Sequence, residues 1–145
     1  CEFLISTNPA ASPQALQKIA SGGELSRISL AIQVVTAKES TIPVLIFDEV
    51  DVGIGGATAE VVGRLLQQLS RSAQIICVTH QAQAASFANQ HLFVTKSLSN
   101  GHMNTQVQTL DVDGKTKEIA RMLGGVEITK ATLDHAADML QRAKA

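Results

Sequence analysis

The sequence predicts an α/β domain: mostly parallel strands with flanking helices, then a β-hairpin and two helices towards the C-terminal end. Three observations carry this. The apolar runs at 44–47 (VLIF) and 74–79 (QIICVT) are short and uninterrupted, the pattern of strands buried on both faces of a parallel sheet. A helical pattern lies between them, and strand–helix–strand order implies a right-handed crossover. Finally, Asn100-Gly101 separates two alternating stretches, a strong hairpin pattern.

The elements follow in order. Residues 2–7 (EFLIST) are apolar and β-branched and stop at Asn8-Pro9, a strand followed by a turn. Pro13 is placed to open a short helix through Ile19. Ser21-Gly22-Gly23-Glu24 then precedes a helix to about Lys38, along which Leu25, Ile28, Leu30, Ala31, Ile32 and Val35 recur near helical spacing. Ser21 stands three residues before Glu24, the spacing of a capping box, which puts the glycines at the helix N-terminus. Pro43 breaks the chain before the first apolar run. After that run Gly53, Gly55 and Gly56 form a loop, and 58–71 reads as a helix with Val61, Val62, Leu65, Leu66 and Leu69 on one side. A short helix is expected over 82–88 behind the second run. The hairpin strands are expected at 91–97 and 103–110, and the last helices at 115–123 and 129–143, separated by Gly124-Gly125.

Composition bounds the function. The 145 residues make one domain, with 45% hydrophobic and 17% charged residues, which excludes general disorder. Twelve Lys+Arg against thirteen Asp+Glu exclude a strongly basic nucleic-acid wrapper and a polybasic membrane binder. No apolar run approaches the roughly 20 residues that span a bilayer. Aromatic residues are 3%, with no Trp or Tyr, so stacking platforms for single-stranded nucleic acid are not expected. Of the two cysteines, Cys77 lies in the second apolar run and reads as a reduced, buried, cytoplasmic thiol. The opening Cys1-Glu2-Phe3-Leu4 has neither an initiator Met nor a signal-peptide layout, and reads as the interior of a longer chain.

Three polar groups fall at the ends of these elements, where α/β sheets place ligands. Free N–H groups and the helix dipole at Ser21–Glu24 favour an anion, and glycine lets phosphate oxygens approach the backbone. Taken alone, such a turn is more often just a cap. Asp48 and Glu49 end a buried strand, where adjacent carboxylates are costly unless they hold a cation or a water. Asp48 suits Mg²⁺ held through water, and Glu49 suits a general base for an attacking water. His80 ends the second strand, where a single histidine is usually structural and is otherwise placed to donate to a phosphate oxygen. A glycine-rich dinucleotide fingerprint at Gly53–Thr58 fails, because the carboxylates precede that loop instead of following it by about 20 residues. No G-x-S-x-G nucleophile elbow occurs.

In their order and spacing these motifs resemble ABC/SMC-type ATPase heads. SGGELSR is similar to the signature motif, VLIFDEVD to a Walker B strand with its catalytic glutamate, DVGIGG to the D-loop and VTHQ to the switch-histidine segment. EFLISTNP, DEVDVGIGG, VTHQAQ and EIARMLGG bring the likeness closest to a bacterial DNA-repair branch of the SMC-like ATPases, over nearly the whole chain. The resemblance implies the C-terminal lobe of a P-loop NTPase head, with ATP and Mg²⁺ as cofactors and ATP sandwiched between two heads. Ser21, Gly22, Gly23 and Glu24 would contact the γ-phosphate of ATP held by the opposite head. Asp48 would support Mg²⁺, Glu49 would polarise the water, Asp51 would belong to the loop linking the two sites, and His80 would touch the γ-phosphate on its own head. Implied partners are the N-terminal Walker A lobe of the same protein, a second head in an ATP-dependent homodimer, and DNA, with no membrane. The implied role is double-strand break repair and recombination in the bacterial cytoplasm, at the nucleoid.

No G-x-x-x-x-G-K-[ST] occurs in these residues. The phosphate-wrapping lobe would therefore precede Cys1, and the segment alone is expected to be inactive. The same lobe from another SMC or ABC ATPase, and a non-catalytic docking fragment, remain as alternative readings of the sequence.

Overall fold

The computed structural model describes residues 4–6, 12–15, 22–38, 42–48, 51, 53–99, 101–125 and 127–144, with only the backbone at 22–24, 26, 27, 38 and 99. Strand β1 (Leu4–Ile5) pairs antiparallel with β2 (Gln14–Ala15). The helix expected to open at Pro13 is thus corrected: Gln14 and Ala15 are extended, and their pairing with β1 satisfies backbone groups that a helix would have satisfied internally. Residues 16–19 of that expectation lie outside the described residues.

Helix α1 (Gly22–Lys38) covers the expected span, but it turns Leu30 and Val34 inward, while Leu25, Ile32 and Val35 of the expected apolar set are exposed. Strand β3 (Val44–Phe47) and strand β4 (Gln74–Cys77) pair in parallel, joined through helix α2 (Ala57–Leu69). The register aligns Leu45 with Ile75 and Phe47 with Cys77, and these four side chains face inward. They pack on Leu30 and Val34 of α1 and on Val62, Leu66 and Leu69 of α2, forming one core. Burial of each large aliphatic or aromatic side chain here contributes about 1.5–3 kcal/mol.

The expectation that both strands are buried on both faces is corrected as well. Both helices cover the same face, so Val44, Ile46, Ile76 and Val78 point outward, with Ile46 70% exposed. The apolar run reports a strand correctly but overstates the cover that the described residues provide.

Helix α3 (Ala82–Ala85) follows β4, and strands β5 (Leu92–Ser99) and β6 (His102–Thr109) form the expected hairpin. Gly101 has φ of 77°, the left-handed conformation that a tight hairpin turn requires. One hairpin face is apolar and exposed, with Val94 opposite Val107 and Leu98 opposite Met103. Helices α4 (Val112–Gly124) and α5 (Lys130–Arg142) close the chain. Ile119 and Ala120 of α4, Ala136 and Met139 of α5, and Ala82 of α3 make a second core.

Helix α4 begins three residues earlier than its periodicity indicates. Asp111 caps it by accepting from the Gly114 N–H at 2.7 Å, so the glycine lies inside the first turn. Thr129 and Thr132 cap α5 reciprocally. Two links join the cores. Gly63 of α2 lies against the backbone of Ala84, and the Gln67 side-chain amide donates to Phe87 O at 3.2 Å and Ala143 O at 3.0 Å. His91 is buried with Nε2 2.8 Å from Ala85 O; burial pushes its pKa below the usual value, so the neutral ring donates to that carbonyl. No helix among the described residues is long and apolar enough to cross a membrane.

Candidate functional site

The ladder between β3 and β4 continues one step past the strands, because Val78 N–H donates to Phe47 O at 2.8 Å. That bond places the residues after both strands side by side, at the carboxyl ends of a parallel pair. Asp48 emerges there exposed, directly after buried Phe47. His80 emerges beside it, with 69% of its side chain exposed.

Asp51 does the opposite and turns inward, with no exposed surface. Its Oδ2 accepts from the Thr79 hydroxyl, from His80 N–H at 2.9 Å and from Gln81 N–H at 3.1 Å. Its own carbonyl accepts from Ile54 N–H at 3.1 Å, so the residue also anchors the loop to α2. A buried carboxylate is tolerable only with several such donors. The other oxygen, Oδ1, lies 3.3 Å from His80 Nδ1, yet it has no hydrogen-bond partner among the described residues. The contact is one of proximity, without hydrogen-bond alignment.

The structure thus brings Asp51 and His80 into contact, with Asp48 exposed at the end of the neighbouring strand. Gly22 and Gly23 occupy the first turn of α1 as expected, and Glu24 follows them in the helix. Ser21, its capping box with Glu24, and Glu49 lie outside the described residues. Sequence reasoning missed Thr79 and Gln81, which hold Asp51. The hydroxyl before a strand-end histidine was the available signal for Thr79, whereas Gln81 donates its backbone N–H, which leaves no side-chain signal. The loop that resembles a D-loop passes close by: a Cβ on Gly55 would come within 3.9 Å of Gln81 Oε1, and Gly53 and Gly56 adopt positive φ of 72° and 53°.

The site also sets the chemistry of Cys77, a free, half-buried thiol on the inner face of β4. Burial first, then the negative charges of Asp51 and Asp48, push its pKa from 9.0 to about 11. The folded state therefore favours the neutral thiol; this contribution to stability is complete below pH 9 and is lost as pH rises through about 11. In a Cys1→Ser variant, iodoacetamide at pH 8 should meet a thiolate population roughly 100-fold below that of an ordinary cysteine, at tenfold per pKa unit. Alkylation at the rate of the unfolded chain would refute this.

No protein-family model matches the chain. It is 53% identical to the DNA repair protein RecN of Vibrio cholerae over 95% of its length, and 41% identical to that of Bacillus subtilis over 98%. It spans 25% of the length of each of these curated relatives. Among solved structures it is similar to the SMC head domain from Thermotoga maritima, at 29% identity and a TM-score of 0.54, covering 72% of this chain and 38% of that one. A second likeness, with a TM-score of 0.65 at 21% identity over 86% of this chain and 81% of the other, is to a structure from work on ATP-driven dimerization and DNA stimulated activation of SMC ATPases. With RecN-like sequence along nearly its whole length, on the fold of an SMC head, the chain belongs to the RecN family.

Proposed function

We propose that these residues form the γ-phosphate-reading half of an ATP-hydrolysing SMC-like head, in a protein that acts in DNA double-strand break repair and recombination. The carrying observation is the placement of Asp48 and His80 at adjacent carboxyl ends of the parallel pair β3–β4. An exposed carboxylate there fits Mg²⁺, which keeps several waters and takes one or two protein carboxylates beside substrate phosphates. Bound Mg²⁺ would neutralise charge on the phosphates. Asp48 holds the ion, Glu49 accepts a proton from the attacking water, and His80 meets the γ-phosphate on its own head. Ser21, Gly22, Gly23 and Glu24 meet the γ-phosphate across the pair, through free N–H groups at the start of α1. The loop through Asp51 links the two sites.

A phosphate-binding lobe from the remaining length of the protein supplies the Walker A loop. It also supplies cover for the outward face of Val44, Ile46, Ile76 and Val78. A second head completes the ATP sandwich. The names of these relatives, DNA repair proteins of bacteria, support the role in DNA repair, and a site of action in the bacterial cytoplasm at the nucleoid belongs to the same proposal.

Reconstitution tests the reading. The 145-residue chain alone should show no measurable ATP turnover. Mixed with a separately produced N-terminal lobe, it should recover Mg²⁺-dependent hydrolysis. Turnover by the pure chain contradicts the half-site assignment, and binding of the lobe without turnover favours a docking fragment.

A further inference from the structure

We infer that Asp51 is a positioning residue for His80, fixing both the backbone that carries it and the tautomer of its ring, so that Nε2 is the nitrogen left for a ligand. The inference rests on the proposed reading of His80 as a phosphate contact, and deepens it.

Three observations converge. First, Asp51 is fully buried, and among the described residues the donors to its side chain come from Thr79, His80 and Gln81. Its carboxylate is thus committed to one short segment at the end of β4, and a ligand has no access to it. Second, the oxygen not engaged in those bonds faces His80 Nδ1 at 3.3 Å. Third, the Gln81 side-chain nitrogen lies 3.3 Å from His80 Nε2. An amide nitrogen can only donate, so Nε2 accepts and the proton of the neutral ring sits on Nδ1, towards the carboxylate. The two contacts specify the same tautomer from opposite sides of the ring.

The arrangement has a direction. Asp51 holds the inner edge of the imidazole, while the outer edge is exposed and covered only by a side-chain amide that can swing away. A phosphate oxygen arriving at Nε2 replaces Gln81, and because both atoms are acceptors the contact needs one proton from solvent shared between them. Nδ1–H stays on the Asp51 side. Asparagine at position 51 would remove the charge and present a donor to Nδ1, which favours the opposite tautomer.

Histidine-selective ¹⁵N spectra of the intact protein should show His80 as the Nδ1–H tautomer, shifting towards Nε2–H in Asp51→Asn. An Nε2–H tautomer in the unsubstituted protein overturns the inference, whether or not the variant folds. In the ATPase assay, Asp51→Asn and His80→Ala should each lower kcat ~10- to 100-fold, as orienting partners do, with a smaller change in KM. The double variant should be no slower than the slower single one. Thr79→Val, which deletes one of the three donors, should give a smaller kcat loss that disappears in the His80→Ala background. Additive losses in either pair overturn the action of Asp51 through His80. Normal turnover in His80→Ala would instead remove His80 as a phosphate contact, while the spectra still decide what Asp51 does to the ring.

Discussion

Replacing Glu49 with Gln in the intact protein is expected to slow ATP hydrolysis ~10²–10⁴-fold, the usual contribution of a general base, while ATP-bound head pairs accumulate. Gln keeps the size of the side chain and can still hold a water, but it cannot accept the water's proton. Asp48→Asn should behave differently, because it weakens Mg²⁺–ATP itself and so reduces assembly as well as turnover. An ordinary surface acid would cost under about 0.5 kcal/mol of stability and leave turnover intact. ATPase rate and the lifetime of the ATP-bound pair, measured on both variants, separate these outcomes. Near-normal turnover in Glu49→Gln removes it from the role of base.

Gly63→Ala should destabilise the protein, although alanine favours a helix over glycine by about 1 kcal/mol. The added Cβ would stand 2.7 Å from Phe87 Cδ2, 2.9 Å from Ala84 O and 3.0 Å from Ala84 Cα. Two of those three atoms are backbone and cannot rotate away. Helices α2 and α3 must separate, at a typical overpacking cost of about 1–3 kcal/mol. Separation also strains the Gln67 bonds to Phe87 and Ala143, one turn further along α2. Denaturant unfolding of the two forms measures the difference, and a more stable alanine variant would show that the helices have room to move.

What the sequence made legible was local. Uninterrupted apolar runs identify β3 and β4, Asn100-Gly101 identifies the hairpin, and apolar spacing identifies α1, α2 and α5. Legibility stops where a residue's environment comes from a distant part of the chain. Asp51 reads as a carboxylate near a ligand, whereas its donors are 28 to 30 residues away and draw it inside. Gly63 looks like a weak point in a helix and is a contact point between helices. Gln67 looks like a solvated amide, and one of its acceptors is 76 residues further on. Gly114 has the look of a helix breaker, but the Asp111 carboxylate absorbs its N–H within the first turn of α4.

The sheet pairings also carry a kinetic consequence. The rungs of β5–β6 begin at Ser99 and His102, across a two-residue turn, and close in about 1–10 μs as hairpins do. Helices α4 and α5 are likewise near neighbours in the chain. The parallel pair is different: Val44 meets Gln74 thirty residues on, so a long loop must close before the first rung repays it. As the chain folds, its C-terminal part takes shape early from local contacts. The strand ends that carry Asp48 and His80 are then expected to become neighbours late, so that the chemistry-bearing half would set the pace of folding.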